Sequence, residues 1–391
     1  MKPETRHPTP NGKKSLLVIA GELSGDMHAA GVVRVLKAEH PDLPVYGIGG
    51  DRLRAVGMEI VVEARDMAVL GFWEVLKRYR FLRGVFNRMI RLAEERRPDA
   101  VLLVDYPGFN LRFAREMKKR GIRVVYYICP QVWAWHQSRI PVMARILDRL
   151  MVIFPFEVEV FAGTALKVDY VGHPLVDEAR AELASAPESS LPWRSDLRLA
   201  LLPGSRRQEI DRILPGLVQA AGLLQQRLPS LSTLIAAASP EIADLIRARL
   251  REITGGPAAL EVVVGSTRRI LREATAAMVK SGTSTIEAAL MRCPMIVVYR
   301  TTALSYWVGK RLIRVPYLGM VNLIAKREAF REFIQDAATP EAMADAMIPL
   351  LTDTPERAAS LASADEVTQK LGEGGAATRA AQLVWQELSA P

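Results

Sequence analysis

The strongest constraint on this chain's fold is a rhythm in its apolar residues. Short, continuous, largely β-branched runs recur with longer amphipathic stretches between them. In the first half they are Ser15 to Ala20, Val45 to Ile48, Ala100 to Asp105, Arg123 to Ile128 and Leu150 to Phe154. Each is too short for a helix and too continuously apolar for a strand with one wet face. Strands of a parallel sheet, covered on both faces, have this composition. The stretches between them, such as Asp26 to Lys37 and Leu111 to Arg120, carry helical periodicity. Strand–helix alternation of this kind predicts an α/β fold with a doubly wound parallel sheet.

The rhythm pauses over an Ala-, Ser- and Pro-rich segment from Asp177 to Asp196 and then restarts. The second set is Arg198 to Leu202, Ser232 to Ala237, Leu260 to Val264, Ala276 to Lys280 and Met295 to Tyr299. A chain of 391 residues exceeds what a single core usually supports. The expectation is two Rossmann-like domains, residues 15–172 and 173–350, joined near residue 172. Residues 1–14 are polar and Pro-rich and read as a disordered tail. The Ala-rich end reads as helical, and residues 351–391 are expected to pack back on the N-terminal domain.

Lys and Arg number 52 against 43 Asp and Glu, a net charge of +9. That balance favours anionic partners such as phosphorylated substrates or an anionic bilayer. The basic residues are dispersed and form no recognised module, so nucleic acid is not an expected partner. The two cysteines, Cys129 and Cys293, lie in or beside apolar runs and read as buried thiols of a reducing compartment. No Cys–His pair has zinc spacing, and no apolar run approaches the roughly 18 residues that span a bilayer. A cytoplasmic chain, peripheral to a membrane at most, is the expectation.

Ligands of open α/β sheets bind outside the carboxyl ends of the strands, so the loops that follow strands carry the functional information. The first reads Gly21-Glu22-Leu23-Ser24-Gly25-Asp26. Its glycines permit a tight turn, and Ser24 or Asp26 could cap the helix that follows. Its carboxylates oppose a pyrophosphate and suit sugar hydroxyls or proton abstraction. The first strand of the second half ends in Pro203-Gly204-Ser205-Arg206. Gly204 allows close backbone approach, Ser205 brings a hydroxyl and Arg206 a fork of donors matched to phosphate, all at a helix start. A later strand ends in Ser281-Gly282-Thr283-Ser284-Thr285-Ile286-Glu287. Small hydroxyl residues at a helix N-terminus make an anion cradle, and Glu287 could take the hydroxyls of a ribose. Two such loops in one half favour a nucleotide-sugar site. No dinucleotide fingerprint follows the first strand, which weakens an oxidoreductase reading.

Several segments together resemble lipid-A-disaccharide synthases. They are Ala20 to Asp26, Gly49-Gly50 with Met58, Gly71 with Glu74, Asp105-Tyr106-Pro107-Gly108-Phe109-Asn110, Pro130 to Trp135, Phe154-Pro155-Phe156-Glu157, Val171-Gly172-His173-Pro174, Leu202 to Arg206 and Ser281 to Thr285. The order is consistent from about residue 15 to the end. The resemblance implies a GT-B fold: two Rossmann-like domains, an interdomain cleft and a helical C-terminal tail. It implies an inverting transfer from UDP-2,3-diacylglucosamine to 2,3-diacylglucosamine 1-phosphate, giving the disaccharide 1-phosphate and UDP, without a metal or other cofactor. It implies residence on the cytoplasmic face of the inner membrane and raises a homodimer. Many members carry an acidic residue where this chain has Gly108, which leaves the base open. Here Asp105 ranks first, then Glu22 and Asp26. Arg206 and the Ser281–Thr285 loop would meet the departing diphosphate. Asn322 extends the nucleotide side, ahead of Ala325-Lys326-Arg327, where a glycine-bearing loop is more usual.

Ser24, Asn110, Trp133 and Trp135 are candidates for the acceptor pocket, the two tryptophans equally for interior packing. Residues 71–91 interleave apolar, aromatic and basic side chains, among them Phe72, Trp73, Arg78, Arg80 and Arg83. Such a helix can lie in an anionic bilayer interface. The competing readings are another UDP-hexosamine enzyme of the same fold, either the peptidoglycan N-acetylglucosaminyltransferase or a UDP-N-acetylglucosamine 2-epimerase, and a non-catalytic nucleotide-sugar-binding protein.

Overall fold

The computed structural model describes residues 14–67, 72–186, 190–312 and 315–390, the side chains of residues 72–79 and 304 excepted. The tail expected over residues 1–14 therefore lies, Lys14 apart, outside the described residues. The chain forms two compact units, one of residues 1–174 with 374–391 and one of residues 175–373.

Unit 1 holds strands β1 (Leu16–Ala20), β2 (Val45–Gly49), β3 (Glu59–Glu63), β4 (Ala100–Val104), β5 (Arg123–Tyr127), β6 (Arg149–Val152) and β7 (Lys167–Tyr170). Its helices are α1 (Leu23–Glu39), α2 (Asp51–Ala55), α3 (Ala64–Met67), α4 (Phe72–Arg96), α5 (Pro107–Lys119), α6 (Val132–Trp135), α7 (Ile140–Ile146) and α8 (Phe156–Val160). The strands form one parallel sheet in the order β3-β2-β1-β4-β5-β6-β7. β1 and β4 are wholly buried, as their unbroken apolar sequences require. The edge strands β3 and β7 were not expected. Glu59, Glu63, Lys167 and Asp169 break their apolar runs, which is how a sheet edge is kept from pairing further.

Unit 2 holds α9 (Pro174–Ala184), β8 (Arg198–Leu202), α10 (Arg207–Arg227), β9 (Ser232–Ala237), α11 (Pro240–Leu250), β10 (Leu260–Val264), α12 (Thr267–Glu273), β11 (Ala276–Lys280), α13 (Thr283–Leu290), β12 (Met295–Tyr299), α14 (Ala303–Leu312), α15 (Met320–Ala325), β13 (Glu332–Ile334), α16 (Pro340–Leu351) and α17 (Pro355–Lys370). Its parallel sheet runs β10-β9-β8-β11-β12-β13. A separate apolar cluster fills each unit. Cys129 and Cys293 are both buried free thiols, and burial pushes both well up from the usual thiol range.

The C-terminal helices do not travel as one piece. α16 packs on α10 and α17 on α13 and α15, all within unit 2. Only α18 (Ala376–Ser389) packs on α1 in unit 1. Gly372, Gly374 and Gly375, all at positive φ, make the turn between α17 and α18. Arg149 Nε meets Glu387 Oε1 at 2.9 Å in the interior, and Arg123 Nη1 donates to the last carbonyls, Glu387 at 2.6 Å and Ala390 at 2.7 Å. These contacts neutralise and cap the C-terminal end of α18.

Candidate functional site

In each sheet the strand order reverses once at its centre. In unit 1, β1 leads outward to β2 while its neighbour β4 leads the other way to β5. In unit 2 the same holds for β8 and β11. The loops after such a pair of strands diverge and leave a crevice, the usual binding place of this architecture. The register pairs Ala20 with Val104 and Leu202 with Val279, so the loops singled out from the sequence emerge side by side.

In unit 2 those loops line one pocket of about 270 Å³. Gly204, Ser205 and Arg206 face it from one side, Gly282, Thr283 and Ser284 from the other, with Glu209, Thr267 and Lys280 between. Gly204 (φ +112°) and Gly282 (φ +151°) have backbone conformations that side chains disfavour. Neither α10 nor α13 has a side-chain cap hydrogen bond at its N-terminus. Amides left so are ready anion donors. The Arg206 side chain is 73% exposed and its Nη1 stays 4.0 Å from Glu209 Oε1, so the guanidinium is not spent on an internal contact.

Four of the expected unit-2 ligands take other places. Ser281 is buried and donates its hydroxyl to the Leu318 carbonyl at 2.7 Å. Thr285 is fully buried and donates to the Gly282 carbonyl at 2.7 Å. Both hydroxyls therefore hold the loop and do not line the pocket. Asn322 is also fully buried; its amide donates to Phe330 O at 2.7 Å and Glu332 Oε1 at 2.8 Å, and its oxygen accepts the Ala329 and Phe330 amides at 2.9 Å each. That set uses the donors and acceptors of the side chain, making Asn322 a clamp of the α15–β13 loop. Glu287 lies off the pocket lining, 3.2 Å from Arg268 Nη1, which also pairs with Glu178 at 2.7 Å. Burial raises the Glu287 carboxyl above its ordinary range, against the pull of Arg268.

In unit 1 the crevice is edged by carboxylates. Asp105 (φ +46°) and Tyr106 (φ +48°) are consecutive left-handed residues, each costing about 1–2 kcal/mol in backbone strain. Side-chain donors compensate: the Asp105 carbonyl accepts Tyr126 Oη at 2.6 Å and Asn110 Nδ2 at 2.7 Å. The Tyr106 ring lies where Gly21 has no side chain; a Cβ there would stand 2.7 Å from Tyr106 Cδ1. Burial first, and the nearby Glu22 carboxylate second, push the Asp105 carboxyl up to about 6. Glu22 and Ser24 are exposed at the start of α1.

Asp26 is withdrawn from the acid–base candidates. It is 2% exposed and accepts the amides of Gly50, Arg52 and Leu53 at 2.6, 3.0 and 3.2 Å, capping α2. Asn110 is likewise internal, its amide nitrogen shared between the Asp105 and Val104 carbonyls. Trp133 is buried and donates Nε1–H to Glu157 Oε1 at 3.0 Å, so of its two readings interior packing holds. Burial raises Glu157 to about 7, against hydrogen bonds from the Phe154 amide and Trp133. Trp135 is 50% exposed and rests on His136. His173 is buried and burial lowers it to about 3, so it is a neutral packing group. Of the amphipathic helix, Gly71 and the side chains of Phe72, Trp73 and Arg78 lie outside the described residues. Arg80 and Arg83 are exposed on α4, and Val85, Met89 and Ala93 form its buried stripe.

Two further lining residues, Glu209 and Lys280, have no role in the expectations drawn from sequence. Their signals were legible: an acidic residue three positions after a helix N-cap, and a lysine closing an otherwise apolar strand.

The family model described as lipid-A-disaccharide synthetase matches residues 16–385. The lipid-A-disaccharide synthase of Anaeromyxobacter sp. (strain K) is 41% identical over 379 residues, covering 96% of this chain and 98% of that protein. Among solved structures, UDP-N-acetylglucosamine 2-epimerase from Neisseria meningitidis, bound to UDP-GlcNAc, aligns with a TM-score of 0.63 at 11% identity, covering 95% of this chain and 100% of that one. MurG of Acinetobacter baumannii aligns with a TM-score of 0.56 at 14% identity, covering 96% and 99%. The fold is thus the GT-B class expected from the sequence.

Proposed function

The chain belongs to the lipid-A-disaccharide synthase family and is a glycosyltransferase of lipid A disaccharide synthesis, and from that premise we propose how its two crevices divide the reaction. The donor is UDP-2,3-diacylglucosamine and the acceptor 2,3-diacylglucosamine 1-phosphate. The unit-2 pocket takes the donor diphosphate. What supports this is the convergence of Gly204–Arg206 and Gly282–Ser284 on one pocket at the sheet's reversal point. Arg206 offers a bidentate fork, and the α10 and α13 amides point their positive ends at the same volume.

Unit 1 supplies the base. The acceptor hydroxyl oxygen attacks the anomeric carbon and its proton passes to the Asp105 carboxylate. The carbon–oxygen bond to the diphosphate breaks, its electron pair leaves with UDP, and the configuration inverts. A carboxyl raised to about 6 is a stronger base than an ordinary aspartate and is still ionised at neutral pH. Burial, with the Glu22 carboxylate adding to it, keeps it raised, and Ser24 and Trp135 are free to contact the acceptor.

Isothermal titration of UDP tests the donor half. Arg206→Ala is expected to weaken UDP binding at least tenfold and to lower turnover by orders of magnitude. Wild-type affinity and rate in that variant would remove Arg206 from this role.

Among the described residues no helix is long and apolar enough to cross a membrane. The reading for α4 is peripheral: Arg80, Arg83, Arg88 and Arg91 are exposed, with Phe81 44% exposed among them, as an anionic surface on the cytoplasmic face of the inner membrane would require.

A further inference from the structure

We infer that Lys280 is a second cationic ligand of the donor diphosphate and that Glu209 is its positioning residue. The inference deepens the reading of the unit-2 pocket and rests on it. Lys280 Nζ and Glu209 Oε1 are 2.9 Å apart, with side chains 20% and 18% exposed. The other Glu209 oxygen accepts the Ser205 amide at 3.2 Å. One carboxylate thereby ties the end of β11 to the loop after β8, across the sheet's reversal point. Both loop glycines are shaped around this pair. A Cβ on Gly204 would stand 2.5 Å from Glu209 Oε2, and one on Gly282 would stand 3.3 Å from Lys280 Nζ.

The charged side chains lining the pocket are Arg206, Glu209 and Lys280. With Arg206 and Glu209 alone their charges would cancel, a poor match for a diphosphate. Lys280 makes the lining net positive. Its ammonium has three N–H donors and Glu209 engages it from one side, so donors remain for phosphate oxygens. The half-shielded setting strengthens each such contact relative to bulk water. Arg206 is exposed and comes no nearer than 4.0 Å to Glu209, whereas Lys280 is held by Glu209 at 2.9 Å. The held cation can meet the charge that develops on the leaving oxygen without reorganising.

The test uses full-length protein, UDP calorimetry and steady-state kinetics. Lys280→Met is expected to raise the UDP Kd tenfold or more, and Lys280→Arg to recover most of the loss. Glu209→Gln is expected to lower kcat/KM in the wild-type background and to have no further effect in the Lys280→Met background, since it acts through Lys280. Lys280→Met within twofold of wild type, while Arg206→Ala weakens UDP, would overturn the inference and leave the pocket reading intact. If neither variant weakens UDP, the pocket reading itself fails. Equal Glu209→Gln losses in both backgrounds would overturn the positioning role. Should Lys280→Met not fold, as judged by its melting without UDP, Lys280→Gln carries the same test, and wild-type UDP affinity in it overturns the inference.

Discussion

The Asp26 carboxylate accepts the Gly50 amide at 2.6 Å in the interior of unit 1, fastening the start of α1 to the start of α2. A Cβ on Gly50 would lie 2.9 Å from Asp26 Oδ2, so the loop admits only glycine while the cap is in place. Asp26→Ala should therefore cost about 1–2 kcal/mol of stability, the range for losing a helix cap. Chemical denaturation measures it. An unchanged stability together with abolished turnover would return Asp26 to the chemistry.

Burial of Asp105, reinforced by the nearby Glu22 carboxylate, sets a pH dependence. The rate should fall about tenfold per unit as pH drops below about 6, because the base becomes protonated. Glu22→Gln removes the like charge and should move this limb to lower pH. Asp105→Asn should abolish the limb along with most of the activity. A pH–rate profile with the limb unmoved in Glu22→Gln would break the link.

The same raised carboxyl has a cost to the fold. The folded state binds this proton more tightly than the unfolded chain, so the stabilisation it brings is complete at low pH and is lost as pH rises through about 6. At neutral pH Asp105→Asn should thus be more stable than wild type, by on the order of 2 kcal/mol. Thermal unfolding at pH 5 and pH 8 checks it: the gain should shrink at the lower pH.

Gly108 sits in the first turn of α5 with nothing within 4 Å of where a Cβ would be. Gly108→Asp should be accommodated and should stabilise the protein by roughly 1 kcal/mol, through helix propensity and the helix dipole. A lower melting temperature would contradict this account of the loop.

Neutralising Arg80 and Arg83 together should weaken binding to anionic vesicles by about 1 kcal/mol per charge, with little change on neutral vesicles. Co-sedimentation with both vesicle types reads the difference. Equal binding by the variant and wild type would remove α4 from the membrane surface.

The central strands were legible because burial on both faces leaves its mark on every residue, as in Leu16–Ala20 and Ala100–Val104. The edge strands were not, since Glu59–Glu63 and Lys167–Tyr170 mix charge with apolar residues as a helix or loop also would. Among site residues the pattern is similar. A glycine at a strand end announces a close approach, and Gly204 and Gly282 line the pocket as read. A hydroxyl or amide in the same motif announces nothing about its direction, and Ser281, Thr285, Asn110 and Asn322 all turn inward to backbone partners.

By itself the sequence determined the parallel α/β architecture, its repetition, and the glycine-bearing loops that follow its strands, because periodicity and loop chemistry are local properties of the chain. Only the tertiary structure decided which polar groups of those loops are spent on the fold and which face the pocket. Asp26 finds its partners 24 to 27 residues away, and Glu209 in the first turn of α10 meets Lys280 at the end of β11. Hydrogen bonding and ion pairing depend on distance in space, and no local pattern encodes which distant group will be there to satisfy a buried carboxylate.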